Sequence, residues 1–444
     1  MAITYKQYNE QFRLPEQARD EQLLLKHKHH ILCYEPGKGK SMPIIHCIQE
    51  VNKMKNGKAK VLIMSDATCI KDMWRAEIVP MGVLPKETYM VTDRTAIGAV
   101  KEALIKTNWD IIVCDECQSL RSGVTRAKSQ YAKLVYQLCK KTEYVWGMTG
   151  TIAGNNNIEP FCVLHALHVA GCGLINCHAF KAKYCVKELQ YGPFGAFEKP
   201  TKLNEAGEAF MNNAYLNGCS FWDYDDNDDM PELDIHTEIF KVPSTATYEK
   251  ALDGILQCGE NESTVLKAIA LQKAQQALNG FLYYDLEAER HTFQVPEFEN
   301  PKLKYVVDKC KETRHIIAYR FQEDAYYIKD ALDKAGIKHC DKISEFKERA
   351  ARGEHLILVL QCSRGKAANL QICQHIIYYT ADFSFIAYKQ FIHRCWRRGQ
   401  LEKCSVTFLV NDPGDKYKVE LKIWESLRRK QSVHDTLMSI KNVA

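Results

Sequence analysis

Gly37-Lys38-Gly39-Lys40-Ser41 places two glycines, a lysine and a hydroxyl residue in one short turn. Glycines let successive backbone N–H groups turn inward onto phosphate oxygens, and a helix starting just beyond adds its partial positive charge. In such a loop Lys40 would bridge the β- and γ-phosphates of a nucleotide and Ser41 would bind Mg²⁺. Asp115-Glu116-Cys117-Gln118 offers the complementary chemistry. Asp115 would coordinate the same Mg²⁺, and Glu116 would orient and deprotonate an attacking water. Far downstream, Gln390-Phe391-Ile392-His393-Arg394-Cys395-Trp396-Arg397-Arg398-Gly399-Gln400 supplies guanidinium groups able to neutralise a γ-phosphate. Taken singly, each segment also has a plain structural reading: a glycine turn, a surface turn, a basic face. Their order along one chain favours chemistry.

The elements needed to position these residues are legible in the apolar pattern. Runs at 31–34, 61–64, 111–114 and 145–148 are continuous and followed by polar turns and amphipathic stretches. This is the pattern of buried parallel strands in βαβ order, which puts ligands at the strand carboxyl ends. The phosphate loop follows the first run, with a helix predicted around 44–51, and the acidic pair closes the third. Met148-Thr149-Gly150-Thr151 closes the fourth; its hydroxyls suit hydrogen bonds to the acidic pair, although by itself the tetrapeptide reads better as a plain strand-to-helix turn.

Alternation resumes after Pro301, with strands predicted at 315–319, 356–360, 375–379 and 406–410 and a helix at 325–335 between them. The stretch 171–300 loses the rhythm, reads as helical over 265–282, and contains an acidic run at 223–229 whose pattern is that of a solvated linker. The expected organisation is therefore an α/β unit over 1–170, a helical linker or insertion over 171–300, and a second α/β unit over 301–444 closed by a helix near 415–437.

Composition sets outer bounds. At 444 residues, 46% hydrophobic and 26% charged, the chain has material for two or three domains. Net charge is +5, unevenly distributed: residues 301–444 carry 27 Lys and Arg against 17 Asp and Glu, which suits a polyanion. No stretch approaches the roughly 20 apolar residues of a membrane span. Eighteen cysteines without an apolar leader imply a reducing interior. Cys114 and Cys117 lack a second pair to complete a zinc site, and the run Cys162, His165, His168, Cys172, Cys177, His178 is expected to pack in a core.

The ordered series resembles the core of superfamily-two helicases, most closely the Swi/Snf-like DNA translocases, including the compact versions carried by phages. The resemblance rests on the phosphate loop; on the Asp115–Gln118 box with Arg121-Ser122 beyond it; on Thr149-Gly150-Thr151 followed by Asn155, Asn156 and Glu159; on Arg364-Gly365-Lys366-Ala367-Ala368-Asn369-Leu370-Gln371; and on the 390–400 segment. It implies two RecA-like parallel-sheet domains, ATP and Mg²⁺ as cofactors, and double-stranded DNA gripped through its phosphate backbone. It further implies Gly37, Lys38, Gly39, Lys40, Ser41 and the adenine reader Gln17 around the nucleotide, with Ser41 and Asp115 on the metal. Glu116, Arg394, Arg397 and Gln390 would serve catalysis. Arg121, Arg364, Lys366 and Trp74 would lie at the nucleic acid. A monomer in the cytoplasm, of a bacterial host for a phage-borne version, with protein partners for targeting, completes the expectation. Strand separation on RNA or single-stranded DNA, and a non-hydrolysing nucleic-acid scaffold, are the alternatives. Tyr34 stands where the loop pattern has glycine, Ile152 and Ala367 replace a proline and a glycine, and Lys38 inside the loop is unusual.

Overall fold

The computed structural model describes residues 13–122, 130–152, 157–192, 195–224, 230–257, 264–286, 289–296, 298–362, 370–397, 400–415 and 418–438. Its described residues cluster into two compact units. One takes in Met1–Lys187, Pro200–Asp228 and Ser432–Ala444, the other Glu188–Lys199 and Asp229–Gln431.

The first unit is built on six parallel strands: β1 His29–Tyr34, β2 Val61–Ser65, β3 Thr88–Thr92, β4 Ile111–Asp115, β5 Tyr144–Thr149 and β6 Cys219–Trp222. Their order across the sheet is β3-β2-β4-β5-β1-β6, and all the pairings are parallel. Both faces are covered, so the apolar runs are continuous and consecutive residues feed opposite cores. Ile31, Leu62, Met64, Ile112 and Val145 enter one core; Leu32, Val61, Ile63, Ile111, Val113 and Trp146 enter the other. Helix α1, Pro15–His27, leads into β1, and α2, Ser41–Met54, leaves the loop that follows it.

The second unit repeats the plan with β7 Leu233–Lys241, β8 Ile316–Tyr319, β9 His339–Cys340, β10 Ile357–Gln361, β11 His375–Tyr378 and β12 Cys404–Asp412. The order is β9-β10-β8-β11-β12-β7, again with parallel pairings. The two parallel-sheet α/β units anticipated from the pattern are thus present. The stretch 171–300 holds helices at Ala246–Gln257 and Thr264–Leu278, and it also supplies an edge strand, β6 or β7, to each sheet. Helices α3 Pro301–Glu312, α4 Gln322–Lys334, α5 Phe385–Ile392 and α6 Val419–Met438 complete the elements used below. Among the described residues, no helix is long and apolar enough to cross a membrane.

A buried polar cluster ties the second unit together. Lys302, at the start of α3, has no exposed surface and donates to both Glu420 carboxylate oxygens at 2.8 Å, to Asn279 Oδ1 and to the Tyr379 carbonyl. Asn279 also donates to Asp324 Oδ1 at 3.0 Å, and the Phe321 amide donates to Asp324 Oδ2 at 3.0 Å. Burial pushes the Asp324 carboxyl up to about 7, outweighing the Phe321 amide, the Thr380 hydroxyl and the Lys302 ammonium, all of which favour the ionised form. A carboxyl raised in the fold contributes most stability below its unfolded value near 4 and loses it as pH rises towards 7. Asp324→Asn, which cannot ionise, is therefore expected to lose less stability relative to the natural chain at pH 7 than at pH 4. The gap should close by up to about 1.4 kcal/mol per pH unit. Denaturant unfolding of both proteins across that range checks it; a pH-independent gap contradicts it.

Candidate functional site

β1 ends at Tyr34, whose ring is fully buried, meets Trp222 edge-on at 5.2 Å and donates its hydroxyl to Asp20 at 2.5 Å. Tyr34 therefore belongs to the core, and the loop begins one residue later. Gly37 and Gly39 adopt φ of +90° and +71°, a left-handed backbone that glycine adopts without steric penalty. Lys40 Nζ donates to the carbonyls of Tyr34 at 3.0 Å and Glu35 at 3.5 Å, so the ammonium lies folded back over its own loop. Ser41 opens α2 and donates its hydroxyl to Met73 Sδ at 3.7 Å.

Three outside elements hold this loop. Gln17, nearly fully buried in α1, donates to the Lys38 and Gly39 carbonyls at 3.4 and 3.3 Å and accepts from the Leu14 amide at 3.1 Å. Both ends of its amide are thus engaged with backbone in this structure. Gly150 sits beside the loop: a Cβ there would lie 3.2 Å from Pro36 Cγ. The third is the end of β6 with the residues just after it. The Trp222 carbonyl accepts from the Glu35 amide at 2.9 Å, and the Tyr224 hydroxyl donates to the Pro36 carbonyl. Lys38, 2% exposed, lies over the rings of Trp222 at 4.3 Å and Tyr224 at 5.2 Å, within cation–π range. The unusual Lys38 thus has a local reason: its cation lies against two aromatic rings. No local pattern signals this, because the rings arrive some 185 residues later.

The acidic pair lies at the carboxyl end of β4, separated from β1 by β5 alone, so it is about 10 Å across the sheet from the loop. Asp115 is 6% exposed. Trp74 Nε1 donates to its Oδ2 at 3.0 Å, the Glu116 amide to its Oδ1 at 2.9 Å, and the Ser65 hydroxyl to its carbonyl at 3.2 Å. Burial, then the Glu116 carboxylate, push the Asp115 carboxyl up to about 7 against the Trp74 bond and the field of Lys40. Glu116 takes φ of +51°, uncommon for a residue with a side chain, and its carboxylate accepts from Gln118 Nε2. Thr149 is fully buried, and its hydroxyl oxygen accepts from the Thr151 amide at 2.9 Å.

One expectation is corrected. Trp74, placed above at the nucleic acid, has no exposed surface, and its indole N–H is engaged with Asp115. An indole sealed in the core cannot meet a DNA backbone. Arg121, in the 3₁₀ turn Cys117–Ser122, is half-exposed. Arg364 and Lys366 lie outside the described residues, as do Asn155, Asn156, Arg398, Gly399 and the acidic run from 225 to 229.

In the second unit Gln390 lies near the end of α5, with Arg394 and Arg397 in the turn that follows. That turn is fastened to the segment at 370–371. The Leu370 amide donates to the Arg394 carbonyl at 2.9 Å, Gln371 Nε2 to the Arg397 carbonyl at 3.4 Å, and Gln400 Nε2 to the Gln371 carbonyl at 2.8 Å. Two segments that the sequence separates by some 20 residues are therefore one local assembly.

The donor set fits Mg²⁺ held with a nucleotide: one carboxylate and one hydroxyl, with the remaining positions left to phosphates and water. A dedicated metal cage is a different matter. Among the described residues, no group of three or more His, Cys, Asp and Glu could hold a metal. In the Cys/His run, His165 Nδ1 lies 3.0 Å from the Cys172 carbonyl with its ring stacked on Tyr136, and His168 Nε2 lies 3.1 Å from the Tyr136 carbonyl.

No family model matches the chain, and no curated protein matches it. Among solved structures it is similar to the SWI2/SNF2 ATPase core of Sulfolobus solfataricus in complex with dsDNA. The two share 17% identity at a TM-score of 0.41, over 96% of this chain and 93% of that one.

Proposed function

We propose that the protein is an ATP-hydrolysing translocase acting on double-stranded DNA. The observation that carries the hydrolytic part is the convergence of the phosphate loop and the acidic pair. Neighbouring side chains Met73 and Trp74 touch Ser41 and Asp115 respectively, so these segments, 74 residues apart in the chain, share one site.

In this reading the amides around Gly37–Ser41 receive the phosphates, and Lys40 exchanges its carbonyl partners for phosphate oxygens. Ser41 and Asp115 hold Mg²⁺, which when bound withdraws charge from the phosphates as a Lewis acid. Glu116, steadied by Gln118, orients water and accepts its proton. Arg394 and Arg397 act on the γ-phosphate as charge-assisted donors, with Gln390 positioning the turn they occupy. Gln17 shapes the loop, and adenine recognition is a further role for it. Hydrolysis removes the group the arginines hold, which turns a chemical step into a mechanical one.

Arg121, Arg364 and Lys366 are the proposed phosphate-backbone contacts; the net +10 of residues 301–444 supports the last two. Such contacts are sequence-independent and release counterions. Phosphate release is therefore expected to be stimulated more by duplex DNA than by single-stranded DNA or RNA, with stimulation falling steeply from 50 to 200 mM salt. Stimulation confined to single strands or RNA would replace the duplex translocase by a strand-separating enzyme. The absence of turnover with every polymer would leave a scaffold.

A further inference from the structure

The segment Cys69–Ile78 is a π-helix, with the Val79 amide donating to the Trp74 carbonyl five residues back. Such windings are rare and recur at functional sites. Here one face is sealed into the first unit: Ile70, Trp74 and Ile78 are at most 5% exposed. From that buried side two consecutive residues reach the two groups assigned above to Mg²⁺. Met73 Sδ accepts the Ser41 hydroxyl at 3.7 Å, and Trp74 Nε1 donates to Asp115 Oδ2 at 3.0 Å.

We propose that this π-helix, through Met73 and Trp74, is the positioning element of the Mg²⁺ site. This inference deepens the nucleotide-hydrolase reading and rests on it. The chemistry of each contact suits the task. A thioether that takes the serine hydrogen leaves the hydroxyl lone pairs directed elsewhere, available to a cation. An indole N–H on one carboxylate oxygen, with the Glu116 amide on the other, prevents the Asp115 group from rotating, while each oxygen keeps a lone pair. Replacing a neighbour that fixes a ligand's orientation typically costs about 10–100-fold in metal affinity. Neither residue touches substrate, so both are positioning residues. Carrying them on adjacent positions of one rigid winding ties the two ligands to a common support.

The test separates metal-dependent from metal-independent binding. Trp74→Phe keeps the ring and removes the donor; Met73→Leu keeps the bulk and removes the acceptor. Binding of a fluorescent ADP analogue is measured by anisotropy in EDTA and across a Mg²⁺ titration. Trp74→Phe is expected to leave the EDTA affinity unchanged and to raise the Mg²⁺ midpoint about tenfold. Met73→Leu should shift the midpoint in the same direction by less. Natural Mg²⁺ midpoints in both variants, or equal losses with and without Mg²⁺, overturn the proposal, the second outcome indicating a merely structural role.

Should Trp74→Phe not fold, the natural chain labelled with ¹⁵N at its six indoles provides the readout. The indole signal displaced by Asp115→Asn should also move when Mg²⁺ joins ADP, and stay still with ADP in EDTA. No signal responding to both changes overturns the inference. A natural chain that binds no nucleotide under any condition removes the hydrolase reading as well, whereas normal Mg²⁺–nucleotide binding with unaffected variants removes the positioning role alone.

Discussion

Glu116→Gln is expected to lower phosphate release by about 10²–10⁴-fold, the range for loss of a positioned general base, while Mg²⁺–ATP remains bound. Glutamine has the same shape and keeps an oxygen to accept from Gln118, so the contact seen at this carboxylate survives. The Ser119 amide bonds the Glu116 backbone carbonyl at 3.1 Å, a contact indifferent to the side chain. What disappears is the proton acceptor. Glu116 also holds a φ of +51°, and strain of this kind is concentrated where a side chain must be aimed. Steady-state phosphate release together with equilibrium ATP binding gives the answer. Turnover within a few-fold of the natural chain would remove Glu116 from the chemistry and return it to the role of a plain turn.

Arg397→Ala is expected to cost 10³-fold or more in turnover, the scale of a lost arginine finger. The local structure should survive. The contacts that fasten this turn use the Arg397 carbonyl, which accepts from Gln371 Nε2 and from the Gln400 amide at 3.0 Å; alanine retains that carbonyl. ATP binding, which the proposal assigns to the first unit, should therefore be nearly unchanged. Arg397→Lys is expected to recover little, because an ammonium cannot present the planar two-pronged donor of a guanidinium. Measured kcat and ATP affinity for the two variants test the claim. Ordinary kcat in Arg397→Ala would confine catalysis to the first unit.

Much of the scaffold was legible because burial on both sheet faces imposes long apolar runs. The strands at 61–65, 111–115 and 144–149 fall almost where those runs begin and end. Two of the edge strands were not legible, for the converse reason. Leu233–Lys241 mixes exposed and half-buried residues, and Thr88–Thr92 has no fully buried position, so neither carries a continuous apolar signal. Lys40, Ser41, Asp115 and Glu116 of the proposed site stand out in the sequence because phosphate and metal chemistry would constrain residue type and local spacing together. Met73, Trp222 and Tyr224 could not. They meet the loop through the fold, from 32 to 188 positions away, and nothing in their own neighbourhoods announces it. Trp74 was noticed but misplaced: the resemblance put it at the nucleic acid, whereas the winding of its helix buries the ring and turns the indole N–H onto Asp115.

The position of Cys219–Trp222 in the sheet bears on how the chain is made. It lies directly beside His29–Tyr34, so the first six-stranded sheet cannot be completed until Trp222 has been synthesised, some 190 residues after β1. Until then Ile31, Leu32, Cys33 and Tyr34 form an unfinished flank with open backbone groups, the kind of edge that recruits strands from neighbouring nascent chains. During synthesis the vulnerable interval therefore ends only with this short strand, long after the glycine-rich loop at 37–41 has emerged.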